Sequence, residues 1–429
     1  MSATQTQTPP PAAAPRVGKP QTRRLRFTPS VVLLVIAAGL VLVAAVRAIT
    51  GANDVTSAGQ IAGALSSAVP IGLAGLAGLW SERAGVVNIG LEGMMILGTF
   101  FGAWAGWQTD PWVAVLAGVL GGAAGGLVHA IVTVTFGVDH IIAGVAMNIL
   151  AAGVTAYLAK KLFTGGEAAQ KGGTPKQSPP MDDIKHFTVP GLSDWLNSVE
   201  KHHWFLVSDL AGIIGGFVTN ISSLTLLAIL LFAGTFFVLW RTSFGLRLRS
   251  CGENPVAAES LGVNVYLYKY LAVIISGALA GLGGVFLAIQ THFYLAGQTG
   301  GRGYIGLAAM IFGNWRPGGL AMGAGLFGYA DSLQLRNGGS SVHALLLLLA
   351  VLLLGMAIWK FLRGARISAV VALAFAVLLA VWYMTTDVVP DEVVQATPYV
   401  ATLLVMGLSA QRLRMPKADG LPYRKGAGG

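Results

Sequence analysis

Long apolar runs dominate this sequence and constrain its fold more than any other feature. A helix needs roughly 20 mostly apolar residues to cross a bilayer. Stretches of that kind lie at 31–49, 60–80, 86–107, 112–136, 140–160, 221–240, 266–290, 317–335, 343–361, 367–386 and 397–413. A further run, 304–314, is too brief to cross alone unless it is tilted or re-entrant. Only 11% of the 429 residues are charged, against about a quarter in soluble domains. The 58 glycines suit helices that approach one another closely in lipid. The fold expected is an all-α integral membrane protein, a polytopic helical bundle of about 10–12 transmembrane segments with inverted repeats and broken helices.

The net charge of +10 could suggest nucleic acid, but its distribution reports orientation instead, and no nucleic-acid partner is expected. With a cytoplasmic N-terminus and twelve crossings, the short basic clusters all fall inside: Arg16 to Arg26, Arg241 with Arg247 and Arg249, Lys360 to Arg366, and Arg412 to Lys425. Asp387, Asp391 and Glu392 then fall outside, as does the long 161–220 loop, which orientation rules discount. Both termini are expected in the cytoplasm of a cell-membrane protein. If 304–314 does not cross, one later segment must be re-entrant. Residues 1–30 read as a disordered tail rather than a signal peptide, and 414–429 as a basic cytoplasmic tail. Between them, 31–413 form one transmembrane domain.

Within the extracytoplasmic loop, Leu192, Trp195, Leu196 and Val199 recur at helical spacing. They predict a short amphipathic helix, lying on the outer membrane surface or packed over the bundle. His202 and His203 lack a third ligand at usable spacing, so no metal is expected. The one cysteine, Cys251, cannot form an internal disulfide.

A second polar interval, 244–265, carries its own helix signals on the cytoplasmic side. Asn254 is a favoured N-cap, Pro255 suits the first helical position, and Gly262 is a natural stop. Glu253 suits the positive end of the dipole, and Ala257 and Ala258 leave one side smooth. Held between two membrane helices, this hexapeptide is a rigid knob for a soluble partner; an ordinary capped connector is the plainer reading.

GLRLRSCGENPVAAESLGVNV followed by SGALAGLGG resembles the cytoplasmic loop of binding-protein-dependent ABC importer permeases. The matching group includes branched-chain amino acid, ribose and nucleoside permeases. AGVVNIGLEGMMILG (84–98), VDHIIAGVAMNILAAGVTAYL (138–158) and GRGYIGLAAMIFGNWRPGGL (301–320) extend the similarity, which is closest to nucleoside (simple sugar) permease subunits. The resemblance implies that the 244–265 loop is a coupling helix, with Gly252, Glu253, Asn254, Pro255, Ala257, Ala258 and Gly262 docking on an ABC ATPase subunit. It also implies a second homologous permease subunit and an extracytoplasmic solute-binding protein. It covers about 80–320 and leaves the first 30 residues and the 161–220 loop unexplained.

No phosphate loop of the Gly-x-x-x-x-Gly-Lys-Ser/Thr kind occurs in the sequence. The expectation is a transport subunit, not an enzyme, with no catalytic residues and no cofactor bound directly; ATP is used by the partner. Ionisable groups within a bilayer are expensive, and few are present: Glu92 and Asp331, with Asp139 and Glu82 nearer the inner edge. Glu92 follows Asn88 by four, which places both on one helical face. Asn88, Glu92 and Asn148 either tie helices together and cap broken ends, or contact a hydroxylated, uncharged solute on the translocation pathway. NIGLEGMMILG (88–98) echoes YIGLAAMIFG (304–313) in the opposite orientation, which suggests two half-helices flanking that pathway. Arg302 is expected to anchor at lipid headgroups, with positioning of the solute-binding protein as the alternative, and Trp315 to sit in an interfacial belt. The function expected is an ABC importer permease translocating a small polar solute, which the resemblance implies is a nucleoside. A simple-sugar or branched-chain amino acid permease, and a secondary transporter, are the alternatives.

Overall fold

The computed structural model describes residues 29–336, 338–390, 392–394, 396–397, 400 and 413–426. The tail at 1–28 and nearly all of the span expected at 397–413 lie outside the described residues. In chain order the helices are α1 (Pro29–Thr50), α2 (Ala58–Arg83), α3 (Leu91–Gly106), α4 (Pro111–Ala130), α5 (His140–Leu162), α6 (Gly166–Gln170), α7 (Leu192–Lys201), α8 (Val207–Gly216) and α9 (Ser223–Arg241). They continue as α10 (Ser243–Glu253), α11 (Pro255–Ser260), α12 (Val265–Thr291), α13 (Arg302–Phe312), α14 (Pro317–Leu335), α15 (Gly339–Leu362) and α16 (Arg366–Thr385). A single antiparallel pairing, His186–Phe187 with Ile221–Ser222, is the only sheet among the described residues. The expected all-α polytopic class is what the chain adopts.

Among the described residues, seven helices are long and apolar enough to cross a membrane. They are α2, α4 with its π-helical extension Ile131–Thr135, α5, α9, α12, α15 and α16. The bundle is built around α12, which is enclosed by α2, α3 and α4. Glycines make that enclosure possible. A Cβ on Gly122 would lie 2.3 Å from the Gly277 carbonyl oxygen, and one on Gly281 2.4 Å from that of Gly118. Backbone therefore meets backbone along α4 and α12, the small-residue packing that lipid-embedded helices use in place of a hydrophobic drive.

Two elements depart from uniform spanning helices. The run 86–107 is broken: residues 84–90 are non-helical, and α3 begins only at Leu91. The run 304–314 is the 11-residue α13, preceded by the non-helical connector 292–301. At about 24 and 17 Å, neither half-helix alone covers the roughly 30 Å hydrocarbon layer. The connector before α13 starts at the end of the bundle that carries the 161–220 segment, where Ala296 N–H donates to Lys176 O (2.8 Å) and Met181 N–H to His292 O (2.8 Å). The turn after α13 reaches the opposite end, where Arg83 Nε donates to Trp315 O (3.1 Å). The stretch 292–316 thus traverses the bundle, half as connector and half as helix.

The 161–220 segment is packed over its end of the bundle. In α7, Leu196 points inward and Trp195 outward. Glu200 accepts from Ala58 N–H at the start of α2 (3.2 Å), and in α8 the buried Asp209 pairs with Arg47 of α1 (2.7 Å). His202 stacks on Trp204, their ring centroids 4.7 Å apart.

Candidate translocation pathway and coupling element

The interrupted segment 84–90 exposes backbone groups that a helix would have satisfied, and inside a membrane bundle each needs another partner. Side chains supply them. His129 and His140 bracket Val87, the first at its carbonyl (3.3 Å) and the second at its N–H (3.3 Å). Lys269 Nζ donates to Gly85 O (3.3 Å), and Asn148 Nδ2 to Ile89 O (3.1 Å). Asn88, fully buried, donates to Ser276 Oγ (3.0 Å).

Glu92 stands in the first turn of α3 and reaches across to α13. Its two carboxylate oxygens accept from Gly301 N–H (2.9 Å) and Gly303 N–H (2.7 Å). The two half-helices thus meet at their N-terminal ends with one carboxylate between them. Each end carries roughly half a positive charge, so the carboxylate offsets a repulsion between two dipoles while satisfying two orphan donors. Gly303 allows the contact, because a Cβ there would sit 2.7 Å from the Glu92 Cα.

Asn148 completes the joint from α5. Its Oδ1 accepts from Gly93 N–H (2.7 Å), and its Nδ2 also donates to the Tyr304 hydroxyl (2.8 Å). Tyr304 is about half exposed beside this pair. Asn88, Glu92 and Asn148 therefore all hold broken-helix ends; only Asn148, with Tyr304, borders an open face. Arg302 is no headgroup anchor: its Nη2 lies 2.7 Å from Asp331 Oδ2 in a mostly buried ion pair with α14. Trp315 is likewise no belt residue. It is buried, and its indole N–H donates to Glu82 (2.6 Å).

The polar interval 244–265 folds as two helices. The first, α10, was not legible as a helix; the second is α11, capped as its sequence dictates. Asn254 Oδ1 accepts from Ala257 N–H (3.0 Å), and Pro255 opens the helix. At the far end Gly262 adopts φ +79°, with Gly262 N–H donating to Glu259 O (2.8 Å) and Val263 N–H to Ala258 O (3.0 Å). That pair of bonds is a Schellman stop, which requires a left-handed residue and hence favours glycine. Glu253, Asn254, Ala257 and Gly262 are exposed and Pro255 half-buried, as are the unforeseen Val256, Ser260 and Leu261 in their exposure. Gly252 and Ala258 face inward. A Cβ on Gly252 would meet the Arg83 carbonyl oxygen at 2.4 Å, so this glycine seats the knob on the end of α2.

The C-terminal segment, expected as a basic cytoplasmic tail, lies against this knob. Ala418 N–H donates to Gly252 O (2.8 Å), Arg414 N–H to Asn314 Oδ1 (2.7 Å), and the Tyr423 hydroxyl to the Glu259 carboxylate of α11. Asp419 is buried, and burial pushes its carboxyl up to about 7 against the opposing pull of neighbouring Glu82 and Lys269. Cys251 is enclosed beneath the knob, and burial pushes its thiol up to about 11, which makes it unreactive.

Broken helices meeting inside a bundle are one way in which transporters are built. Residues 60–357 match the family described as the permease component of the branched-chain amino acid transport system. The chain belongs to this permease family. Among its relatives, the guanosine ABC transporter permease protein NupQ of Bacillus subtilis is 34% identical over 369 residues, 84% of this chain and 94% of NupQ. The nucleoside ABC transporter permease protein NupC of Lactococcus lactis is 32% identical over 85% of this chain and 96% of NupC. The guanosine permease protein NupP of Bacillus subtilis, a partial match, is 27% identical over 60% of this chain. No solved structure matches the chain. The permease is a multi-pass membrane protein and a transport component.

Proposed function

We propose that this permease is the membrane subunit of an ATP-driven importer that carries a nucleoside inward. The observation that carries the reading is that nucleoside permease proteins of two organisms match it over more than four-fifths of its length. An ABC ATPase subunit docks on the exposed side of α11, through Glu253, Asn254, Pro255, Ala257 and Gly262, while Gly252 and Ala258 brace that helix from behind. A second, similar permease completes the channel, and a solute-binding protein delivers cargo at the 161–220 end. Both termini then lie in the cytoplasm, beneath the cell membrane.

The knob can transmit force because its attachments are stiff. It is capped at both ends and seated on α2, and the C-terminal segment is bonded to it. Displacing α11 therefore moves the end of α2 and, directly after it, the interrupted segment 84–90 that leads to Glu92.

The test is uptake by the assembled importer in liposomes loaded with ATP. Labelled guanosine or uridine should accumulate, unlabelled nucleosides should compete, and sugars and leucine should not. Gly262→Val places a β-branched residue in a left-handed conformation, a strain of about 1–2 kcal/mol. It and Glu253→Lys should leave membrane insertion intact and hydrolysis running while uptake per ATP falls. Normal coupling in both variants removes α11 from the docking role; competition by leucine or sugar alone overturns the nucleoside reading.

A further inference from the structure

The outer face between α9 and α14 carries two cavities of about 630 and 410 Å³ that share Phe232 and Ala321 as lining residues. They form one groove, floored by α2 through Ala64, Ala68 and Val69. Its walls are apolar over their whole length, from Ile229 to Trp240 on α9 and from Tyr329 back to Pro317 on α14. At 1.5 Å per residue, the α9 wall alone extends about 17 Å. The hydrocarbon of one leaflet is about 15 Å deep, half of the usual layer. The groove has the length and polarity to take a fatty acyl chain.

One end of the groove is basic. Arg316 lines it and is exposed, and its side chain has no hydrogen-bond or ion-pair partner among the described residues. The Arg83 and Arg249 guanidiniums lie over the Trp240 ring, each 5.5 Å from its centroid. Both are held there by carbonyls, Arg83 at Trp315 O (3.1 Å) and Arg249 at Leu239 O (2.9 Å). Arg83 is partly buried, and Glu253 and Asp419 act on its charge as well as Arg249 and Arg316. With two guanidiniums stacked on one ring and that of Arg316 without a side-chain partner, the mouth of the apolar groove has donors left for an anion. An ion in water would satisfy the charges but not the groove behind them.

We infer that this groove binds an anionic phospholipid, with its phosphate among Arg83, Arg249 and Arg316 and one acyl chain along α9 and α14. The inference is independent of the solute and rests on the membrane-spanning reading alone. The lipid wedges α9, which leads directly into α10 and the knob, against α14, so its presence fixes the spacing of the two helices.

The probe is phosphatidylglycerol, compared with phosphatidylcholine of the same chains, added to delipidated full-length permease and read by native mass spectrometry. Phosphatidylglycerol should bind in preference, and Arg316→Gln should reduce that preference about fivefold, the effect of one cation near an anionic headgroup. Ala321→Trp, which fills the shared part of the groove at an exposed position, should abolish the bound lipid of either kind while leaving the melting temperature of the lipid-free protein unchanged. Glycerol 3-phosphate alone should neither bind nor compete. Equal binding of the two lipids, binding unaffected by Ala321→Trp, or competition by glycerol 3-phosphate overturns the proposal. So does a change of oligomeric state in Ala321→Trp with lipid binding retained, since the groove then belongs to a protein contact.

Discussion

Replacing Glu92 by alanine removes the acceptor shared by two backbone donors, the part-buried Gly301 N–H at 2.9 Å and the buried Gly303 N–H at 2.7 Å. Leaving a buried donor unsatisfied costs about 1–3 kcal/mol, so the pair is worth about 2–6 kcal/mol, before any change in dipole repulsion. At about 1.4 kcal/mol per factor of ten, opening at the start of α13 becomes roughly 30-fold to 10⁴-fold more frequent. Glu92→Gln keeps one acceptor oxygen, loses the charge, and should fall at the low end of that range. Hydrogen exchange of the peptide covering 298–306, read by mass spectrometry on the purified permease, reports the opening. The enclosed stretch of α12 around Gly281 serves as the control for global unfolding. Unchanged protection at 298–306 in Glu92→Ala refutes the capping role. If Glu92→Gln instead raises the KM for uptake with protection intact, the carboxylate meets solute rather than helix.

Two further perturbations follow from the packing and from the docked C-terminal segment. Gly122→Val drives side-chain atoms into the α12 backbone at a point where even a Cβ lies 2.3 Å from the Gly277 oxygen, and should destabilise by about 3 kcal/mol or more; Gly234→Ala, with nothing within 4 Å, should be tolerated. Equal unfolding midpoints for the two variants would contradict the helix-contact account. Asp419 titrates near 7 when docked and near its ordinary value of about 4 when released, so the docked form holds the proton more tightly. Docking is therefore favoured in acid, weakens as pH rises from about 4 to 7, and is constant above that. Exchange protection of 413–426, corrected for intrinsic rates, should drop between pH 5 and pH 8 in the native chain and stay flat in Asp419→Asn.

The sequence exposed most of the fold because lipid demands it: each expected span from 31–49 to 367–386 has a helix in place. It exposed α11 to the residue, because Asn254, Pro255 and Gly262 each act within four positions of themselves. The half-helices were legible only through the echo between 88–98 and 304–313. Hydropathy alone misread 86–107 as continuous, since a chain that leaves the helix inside a bundle stays apolar. The partners that make the break affordable, His129, His140, Lys269 and Ser276, lie 42 to 188 residues away and carry no local signal. Trp315 and Arg302 were misplaced for the same reason. Each found a carboxylate, buried Glu82 or part-buried Asp331, that only the folded arrangement brings near. The C-terminal segment was invisible because it is held by contacts with α10, α11 and the turn after α13, and has no periodicity of its own.

The shared carboxylate of Glu92 has a mechanical consequence. Parting the tips of α3 and α13 strands two N–H groups at once, so the tips are pinned and travel as a single piece. Alternate opening to the two sides must then bend elsewhere. The natural joints are the connectors on either flank, where Gly85 on one side and Gly297, Gly300 and Gly301 on the other already sit at positive φ. In the importer proposed above, a rigid central bolt swung from two glycine hinges would convert a small push at one end of the molecule into opposite displacements of its two mouths.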